Sequence, residues 1–403
     1  MKILLIHQSF RTATEGGGTR HYELLQRMTE AGHKATVIAS DFSYLDGARS
    51  DSKAVTTTDG IEVRRVKMFR NIHRSFFHRL LGFVSFMISA FIAGWKAAKD
   101  ADVVMGTSPP LFQSVSAWAV AALRRKPFLL EIRDLWPDFA IEMNVLKNPV
   151  LIFLSRRLEC FLYARATKIL VNSPAFITYL TESRGINRSK VHLIPNGVDP
   201  TMFDPAAQGQ SVRQQWDIAD QFVVVYAGAI GPANDLPTLV EAARLLEPRA
   251  DIRFVIIGDG KDRRKVTGLI AKQSLTNIQW QGVVGKSEMP NILAAADACV
   301  AILQDVSMFK TVYPNKVFDY MAAGRATILA IDGVIREVID SCRGGVFVAP
   351  GNAQELSETI AALADQREDT AEMGRRAREY VSENFDRQTH ADQFHDLIMN
   401  MAR

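Results

Sequence analysis

Tyr313-Pro-Asn-Lys-Val-Phe-Asp-Tyr-Met-Ala-Ala-Gly324 is the stretch on which the reading of this chain turns. Pro314 and Asn315 interrupt whatever precedes them, and Asn315 suits a helix N-cap. Val317, Tyr320 and Met321 recur at helical spacing, and Gly324 closes the turn. The expected unit is a loop that opens a helix. A helix start leaves N–H groups without partners and carries partial positive charge, and Lys316 adds a full one. That combination suits a diphosphate. Asp319, one turn on and on the same side as Lys316, is placed to accept from ribose hydroxyls. A nucleotide-sugar therefore fits the box better than bare phosphate. The bland alternative is an amphipathic helix with one solvated lysine and one solvated aspartate.

Outward from this box, short apolar strands alternate with helices. In the first half, strands are expected at residues 3–7, 35–39, 61–66, 103–105, 128–132, 168–171 and 191–194, with helices at 19–31 and 150–164. The pattern then restarts, with strands at 222–226, 253–257, 278–281, 298–303 and 326–330. Helices follow at 370–380 and 387–402. Such alternation indicates parallel, doubly wound sheets. The fold class is α/β, with two Rossmann-like domains facing a central cleft. The expected division is 1–199, 200–380, and a terminal helix in 381–403 that returns to the first domain. Ligands in such sheets bind beyond the carboxyl ends of strands.

Bulk composition narrows the class. The chain has 403 residues, 47% hydrophobic and 23% charged, which is globular rather than disordered. A formal net charge of +4 is too small to imply a nucleic-acid partner. Cys160, Cys299 and Cys342 are widely spaced and odd in number, which fits reduced thiols in a cytoplasmic protein. Residues 1–6 are too short for a signal-peptide core and read as a buried strand.

Other motifs lie where a doubly wound sheet places its site. Gly16, Gly17 and Gly18 follow the first strand, where glycines let backbone N–H groups approach a phosphate or a sugar. They do not form the dinucleotide fingerprint, so no nicotinamide cofactor is implied. Arg20, in the first helical turn, is a candidate anion support. Glu131-Ile-Arg-Asp-Leu-Trp-Pro-Asp138 puts charged groups and Trp136 at a strand end. Arg133 there suits a diphosphate, and Asp134 suits a proton or a sugar hydroxyl. The alternative is an Arg–Asp pair that only fixes the loop. Asp100-Ala-Asp102 precedes its strand, the wrong end for a site, and reads as a solvated turn. No His, Cys, Asp and Glu cluster has metal-ligand spacing, so no protein-held metal is expected.

Residues 64–99 contain no acidic residue and carry Arg64, Arg65, Lys67, Arg70, Arg74, Arg79, Lys96 and Lys99, and within them 80–95 has no charge at all and includes Phe83, Phe86, Phe91 and Trp95. Sixteen residues fall short of the roughly 20 needed to span a bilayer. A basic, aromatic flank beside an apolar helix suits an anionic membrane surface. The alternative is a core helix with a basic lead-in.

Taken in order, these residues resemble retaining GT-B glycosyltransferases of family 4, in particular the bacterial O-antigen and capsule branch that includes L-fucosamine transferases. The marks are Gly16-Gly-Gly18, Thr107-Ser-Pro-Pro110, Glu131-Ile-Arg-Asp-Leu-Trp-Pro137, Ile194-Pro-Asn-Gly-Val-Asp199, Tyr226-Ala-Gly228, Ile257-Gly-Asp-Gly260 and the Pro314–Gly324 box. The resemblance implies a donor-binding second domain and an acceptor-binding first domain. It implies no cofactor: the nucleotide diphosphate sugar, UDP-linked, is a substrate. Arg133, Asp134 and Lys316 are the implied catalytic residues. Gly17, Gly18, Gly228, Gly258, Asp259, Gly260, Lys310, Asn315 and Asp319 are the implied donor contacts. Arg20, Trp136 and Asn196 are the implied acceptor contacts. Thr311 stands where the family carries the first of two donor-box acids, and Ala229 and Asp235 lie where many relatives carry a basic pair. The implied acceptor is a polyprenyl-diphosphate-linked or other saccharide, at the inner face of the cytoplasmic membrane. Two other readings stay open: a nucleotide-sugar 2-epimerase on the same architecture, and a non-catalytic nucleotide-sugar-binding protein.

Overall fold

The computed structural model describes residues 1–12, 19–42, 55–70, 74–204, 207 and 209–402. The expected Gly16-Gly17-Gly18 loop lies outside the described residues. The chain divides into two compact units, Met1–Pro195 with Gln388–Arg403, and Asn196–Arg387.

The first unit is built on eight strands: β1 Lys2–Ile6, β2 Lys34–Ser40, β3 Val55–Thr58, β4 Ile61–Val66, β5 Val103–Ser108, β6 Phe128–Ile132, β7 Lys168–Val171 and β8 Val191–Leu193. Their order in the sheet is β3-β4-β2-β1-β5-β6-β7-β8. All pairs are parallel except β3–β4, a hairpin closed by Asp59 and Gly60, both at positive φ. Sequence reading missed β3 because Val-Thr-Thr-Thr has no buried alternation; it is a half-exposed edge strand.

In β1, every residue after Lys2 is buried, and its two faces meet different helices. Ile3 and Leu5 pack with Leu24, Leu25 and Met28 of helix Arg20–Glu30. Ala391, Phe394 and Ile398 of the terminal helix Arg387–Ala402 complete the same core. The other face meets helices Phe76–Ala97 and Leu111–Arg124; a Cβ built on Gly94 would lie 3.1 Å from Ile6 and 3.3 Å from Val120. Strand order therefore reverses between β1 and β5, which opens a crevice at their carboxyl ends.

Helix Phe76–Ala97 is longer than its charge-free core suggested. Phe77–Asp100 spans 24 residues and contains an 18-residue window of mean hydropathy 1.6, long and apolar enough to cross a membrane by length and composition. One face, through Phe86, Ala90 and Ala97, is buried against the unit. The opposite stripe of Phe77, Leu81, Ile88 and Ile92 is exposed, 63%, 38%, 54% and 53% respectively. The spacing puts these four on one side of the helix.

The second unit holds six parallel strands: β9 Phe222–Ala227, β10 Ile252–Ile257, β11 Ile278–Gly282, β12 Ala298–Ile302, β13 Ala326–Ala330 and β14 Gly345–Phe347. Their order is β11-β10-β9-β12-β13-β14, so the reversal falls between β9 and β12. Both strands are buried along their whole length, which is why they read as continuous apolar runs. Beyond β9 and β10 the backbones touch: a Cβ on Gly258 would lie 1.9 Å from the Gly228 carbonyl oxygen. Only glycine permits that approach.

Phe394→Ala is expected to cost about 3–5 kcal/mol, since it empties a fully buried ring position. Urea unfolding should show a lower midpoint; an unchanged midpoint would remove the terminal helix from the first unit's core.

Candidate functional site

The second unit carries the box that opened the sequence argument. Its helix is Asn315–Ala322, capped by Pro314 rather than Asn315, with no side-chain cap hydrogen bond. The extended backbone of Pro314 starts the helix one residue earlier than expected, and Asn315 is exposed in the first turn. Tyr320 clamps the helix to the end of β9: its hydroxyl accepts from the Ala227 N–H at 2.9 Å and donates to the Ala227 carbonyl at 3.0 Å. Asp319 sits half-buried one turn from the helix start.

Lys316 has an unusual set of neighbours. Its Nζ donates to the Tyr226 hydroxyl at 3.0 Å and to Asn234 Oδ1 at 2.9 Å. The ammonium also lies 4.4 Å from the centre of the Tyr226 ring. Among the described residues no carboxylate pairs with it. Burial without a counter-charge pulls its pKa from the ordinary lysine value of 10.5 down to about 7. Gly228 keeps this approach open, because a Cβ there would stand 3.0 Å from Nζ.

Several expected donor and acceptor contacts have other work. Lys310 faces Asp332 at 3.6 Å and Asp305 at 3.9 Å, so its charge is already answered. Asp259 accepts from the Gly260 N–H at 2.7 Å and pairs with Arg263 at 3.2 Å, which shapes the turn after β10. Asn196, expected at the acceptor, donates to the Tyr313 carbonyl at 3.2 Å and steadies the start of the box. Thr311 donates to the Met308 carbonyl at 2.6 Å, a local turn contact.

In the first unit, His7, Thr107 and Glu131 stand in one row at the carboxyl ends of β1, β5 and β6. The register places Gly106 beside Ile6 and Glu131 beside Thr107. Glu131 is wholly buried and takes Arg20 Nε on one oxygen at 3.0 Å and His21 Nε2 on the other. Burial opposes its ionisation, but His21, Arg20 and Arg133 outweigh that and hold the carboxyl far below the usual range. Arg20 is therefore not the free anion support expected: its remaining contacts run to the carbonyls of Pro195 and Ile194, each at 2.7 Å. A buried carboxylate needs a cation, and Arg20 supplies it.

Arg133 and Asp134 follow β6. The Arg133 backbone is fixed to the Ser108 carbonyl at 2.9 Å. Its guanidinium makes no hydrogen bond to a described residue, and Nε is buried without a partner. Burial pushes the Asp134 carboxyl up to about 6, with Arg133 opposing. The alternative of a tight Arg133–Asp134 ion pair is not what forms. Trp136 is half-buried beside them, its N–H on the Asp134 carbonyl at 2.9 Å.

Sequence reading missed His7, His21, Thr107 and Gln113. For His7 and Thr107 the available signal was a polar residue directly after, or inside, an apolar strand; His21 and Gln113 lie in the first turns of helices. His7 Nδ1 meets Thr107 Oγ1 at 2.7 Å, and the His7 and His21 rings lie 4.2 Å apart. Burial, then His21 and Arg133, lowers the His7 pKa well below the usual histidine value. Among the described residues no group of His, Cys, Asp and Glu could hold a metal ion.

Each unit thus presents, beyond the carboxyl ends of its parallel strands, a cation with no carboxylate hydrogen-bonded to it, Arg133 after β6 in the first and Lys316 beside the end of β9 in the second, which suits a doubly wound protein that handles phosphorylated ligands. Residues 15–197 match the glycosyl transferase 4-like domain, and residues 210–380 match glycosyl transferases group 1. The chain is a glycosyltransferase of group 1, with the GT-B fold. It is 25% identical to a GDP-mannose-dependent alpha-mannosyltransferase of Mycobacterium tuberculosis over 380 residues, 94% of this chain and 92% of that one. It is 23% identical to the putative colanic acid biosynthesis glycosyl transferase WcaI of Escherichia coli, covering 98% of each. Among solved structures, Anabaena HepE in complex with UDP-glucose has the same fold, with TM-score 0.75, 18% identity, and 99% and 100% of the two chains covered.

The lysine gives a stability prediction. Between about pH 7 and 10.5 the unfolded chain holds the Lys316 proton and the folded chain has lost it, so this group's contribution to stability rises with pH across that window. Below pH 7 the folded protein carries the full cost of a charged, desolvated ammonium. Lys316→Met should raise the melting temperature at pH 6.5 and flatten its pH dependence; a lower melting temperature at that pH would contradict the burial argument.

Proposed function

We propose that this chain is a retaining, metal-independent glycosyltransferase of bacterial surface-polysaccharide synthesis. It moves a hexosyl or N-acetyl-(deoxy)hexosaminyl unit from a nucleotide diphosphate sugar, UDP-linked, to a polyprenyl-diphosphate-linked saccharide. The placement in the O-antigen and capsule branch near L-fucosamine transferases belongs to this reading. The observation that carries it is Lys316: a partly buried ammonium held only by neutral groups, beside the start of a helix at the strand-order reversal. Such a charge is costly until an anion arrives. The relative in colanic acid biosynthesis and the fold neighbour that holds UDP-glucose favour the same direction.

In this mechanism the bond from the anomeric carbon to the diphosphate oxygen breaks. A bond to the acceptor hydroxyl oxygen forms on the same face. The hydroxyl proton passes to the departing diphosphate, which leaves as the nucleoside diphosphate. Charge builds on that leaving group, and Lys316 with the first-turn N–H groups at Asn315 answers it. Asp319 holds ribose, the turns at Gly228 and Gly258–Gly260 admit the nucleotide closely, and Arg133 and Asp134 hold the saccharide side of the reaction.

The enzyme works at the inner face of the cytoplasmic membrane. The exposed Phe77, Leu81, Ile88 and Ile92 stripe lies in the membrane plane, and Arg74 and Arg79 meet anionic headgroups. Arg70 contributes less, because Asp41 lies 3.1 Å away.

Lys316→Ala should lower turnover or donor affinity about 10- to 100-fold, the size of one charge-assisted contact. The assay is release of nucleoside diphosphate from UDP-, GDP- and dTDP-sugars with a lipid-linked acceptor. Wild-type activity in the variant, or epimer formation without acceptor, would overturn the reading. Separately, Arg74→Gln with Arg79→Gln should weaken binding to vesicles rich in anionic phospholipid about tenfold or more, at about 1 kcal/mol per charge. Unchanged sedimentation with vesicles would remove the membrane part.

A further inference from the structure

We infer that His7 contacts the saccharide directly, as a neutral imidazole locked in one tautomer whose Nε2–H donates to a hydroxyl or carbonyl oxygen of the sugar. The inference rests on the glycosyl-transfer reading above.

Position comes first. His7 directly follows β1, and Thr107 is the next-to-last residue of β5, so the pair flanks the strand-order reversal of the first unit. That is where an open doubly wound sheet receives its ligand.

The tautomer follows from a chain of hydrogen bonds. Gln113 Oε1 accepts from the Gln8 N–H at 2.6 Å, which fixes the amide orientation. Its Nε2 therefore donates, with the Thr107 carbonyl and Thr107 Oγ1, both at 2.8 Å, and the Pro109 carbonyl at 3.0 Å as acceptors. Thr107 Oγ1 already accepts, and its one proton has His7 Nδ1 as an acceptor at 2.7 Å. His7 Nδ1 is then the lone-pair nitrogen and Nε2 carries the hydrogen.

That N–H has no hydrogen-bond partner among the described residues. A donor nitrogen left without a protein partner at the carboxyl ends of β1 and β5 is available to a ligand there. The imidazole is also hemmed in: the His21 ring lies 4.2 Å away, tilted 42° to it, and Glu131 holds His21. Burial beside Arg133 keeps the ring uncharged, so it is a donor to neutral oxygen rather than a second cation.

Chemistry at the same strand ends completes the set. Arg133 offers a charged donor, His7 a neutral donor, and Asp134 an acceptor. Two donors and one acceptor match neighbouring hydroxyl or acetamido oxygens on a pyranose.

The test uses the full-length protein with nitrogen-15-labelled histidine, and variants His7→Leu and His7→Gln. Long-range proton–nitrogen spectra at pH 7.5, with the His7 signals assigned by their loss in His7→Gln, should show the Nε2–H tautomer. His7→Leu should keep wild-type affinity for UDP but lose about tenfold in turnover of the donor accepted by the wild type, the effect of one lost hydrogen bond. His7→Gln, which keeps a donor at the same reach, should recover most of that loss; a purely structural role would not give this split. An Nδ1–H or doubly protonated His7, or a fully active His7→Leu with intact UDP binding, overturns the His7 assignment alone. Failure of the wild-type protein to bind UDP, GDP or dTDP overturns the glycosyl-transfer reading, and His7 with it.

Discussion

An ammonium placed among neutral dipoles is the constraint around which the second unit is organised. Lys316 receives two oxygens and an aromatic face, from Tyr226 and Asn234, and no carboxylate. Those neutral groups steer the side chain without cancelling its charge. A carboxylate in their place would make a stable internal pair and leave nothing for a ligand. The glycines at 228 and 258 belong to the same design, because a side chain at either would press on the lysine or on the neighbouring backbone.

The first unit solves the opposite problem with similar residues. Glu131 is buried, and Arg20 and His21 are spent on it. Arg133, two residues further along the chain, keeps its guanidinium uncommitted. One arginine, at the start of helix Arg20–Glu30, is thus structural, and the other, directly after β6, is available. The difference is set by which of them the buried carboxylate can reach, not by residue type.

Much of this was legible in the chain. The alternation of apolar strands and helices gave both sheets, because parallel strands covered on two faces must be apolar throughout. Lys316, Arg133 and Asp134 were visible as charges at strand or helix ends. The roles of Arg20, Lys310 and Asn196 were not, since their partners are Glu131, Asp332 and the Tyr313 carbonyl, distant in sequence or on the backbone. The N-cap moved from Asn315 to Pro314 because proline's backbone was already extended. His7 escaped notice because its meaning depends on Thr107 and Gln113, a hundred residues away.

The terminal helix Arg387–Ala402 completes the core of the first unit, yet it is translated only after the second unit. At about 5–20 residues per second, synthesis of the intervening stretch leaves this core without Ala391, Phe394 and Ile398 for roughly 10–40 seconds. The usual vectorial order, in which the leading domain matures before the next emerges, is therefore closed to this protein. Its leading domain waits as an unfinished, sticky intermediate on the ribosome, a natural client for a chaperone that shields apolar surface.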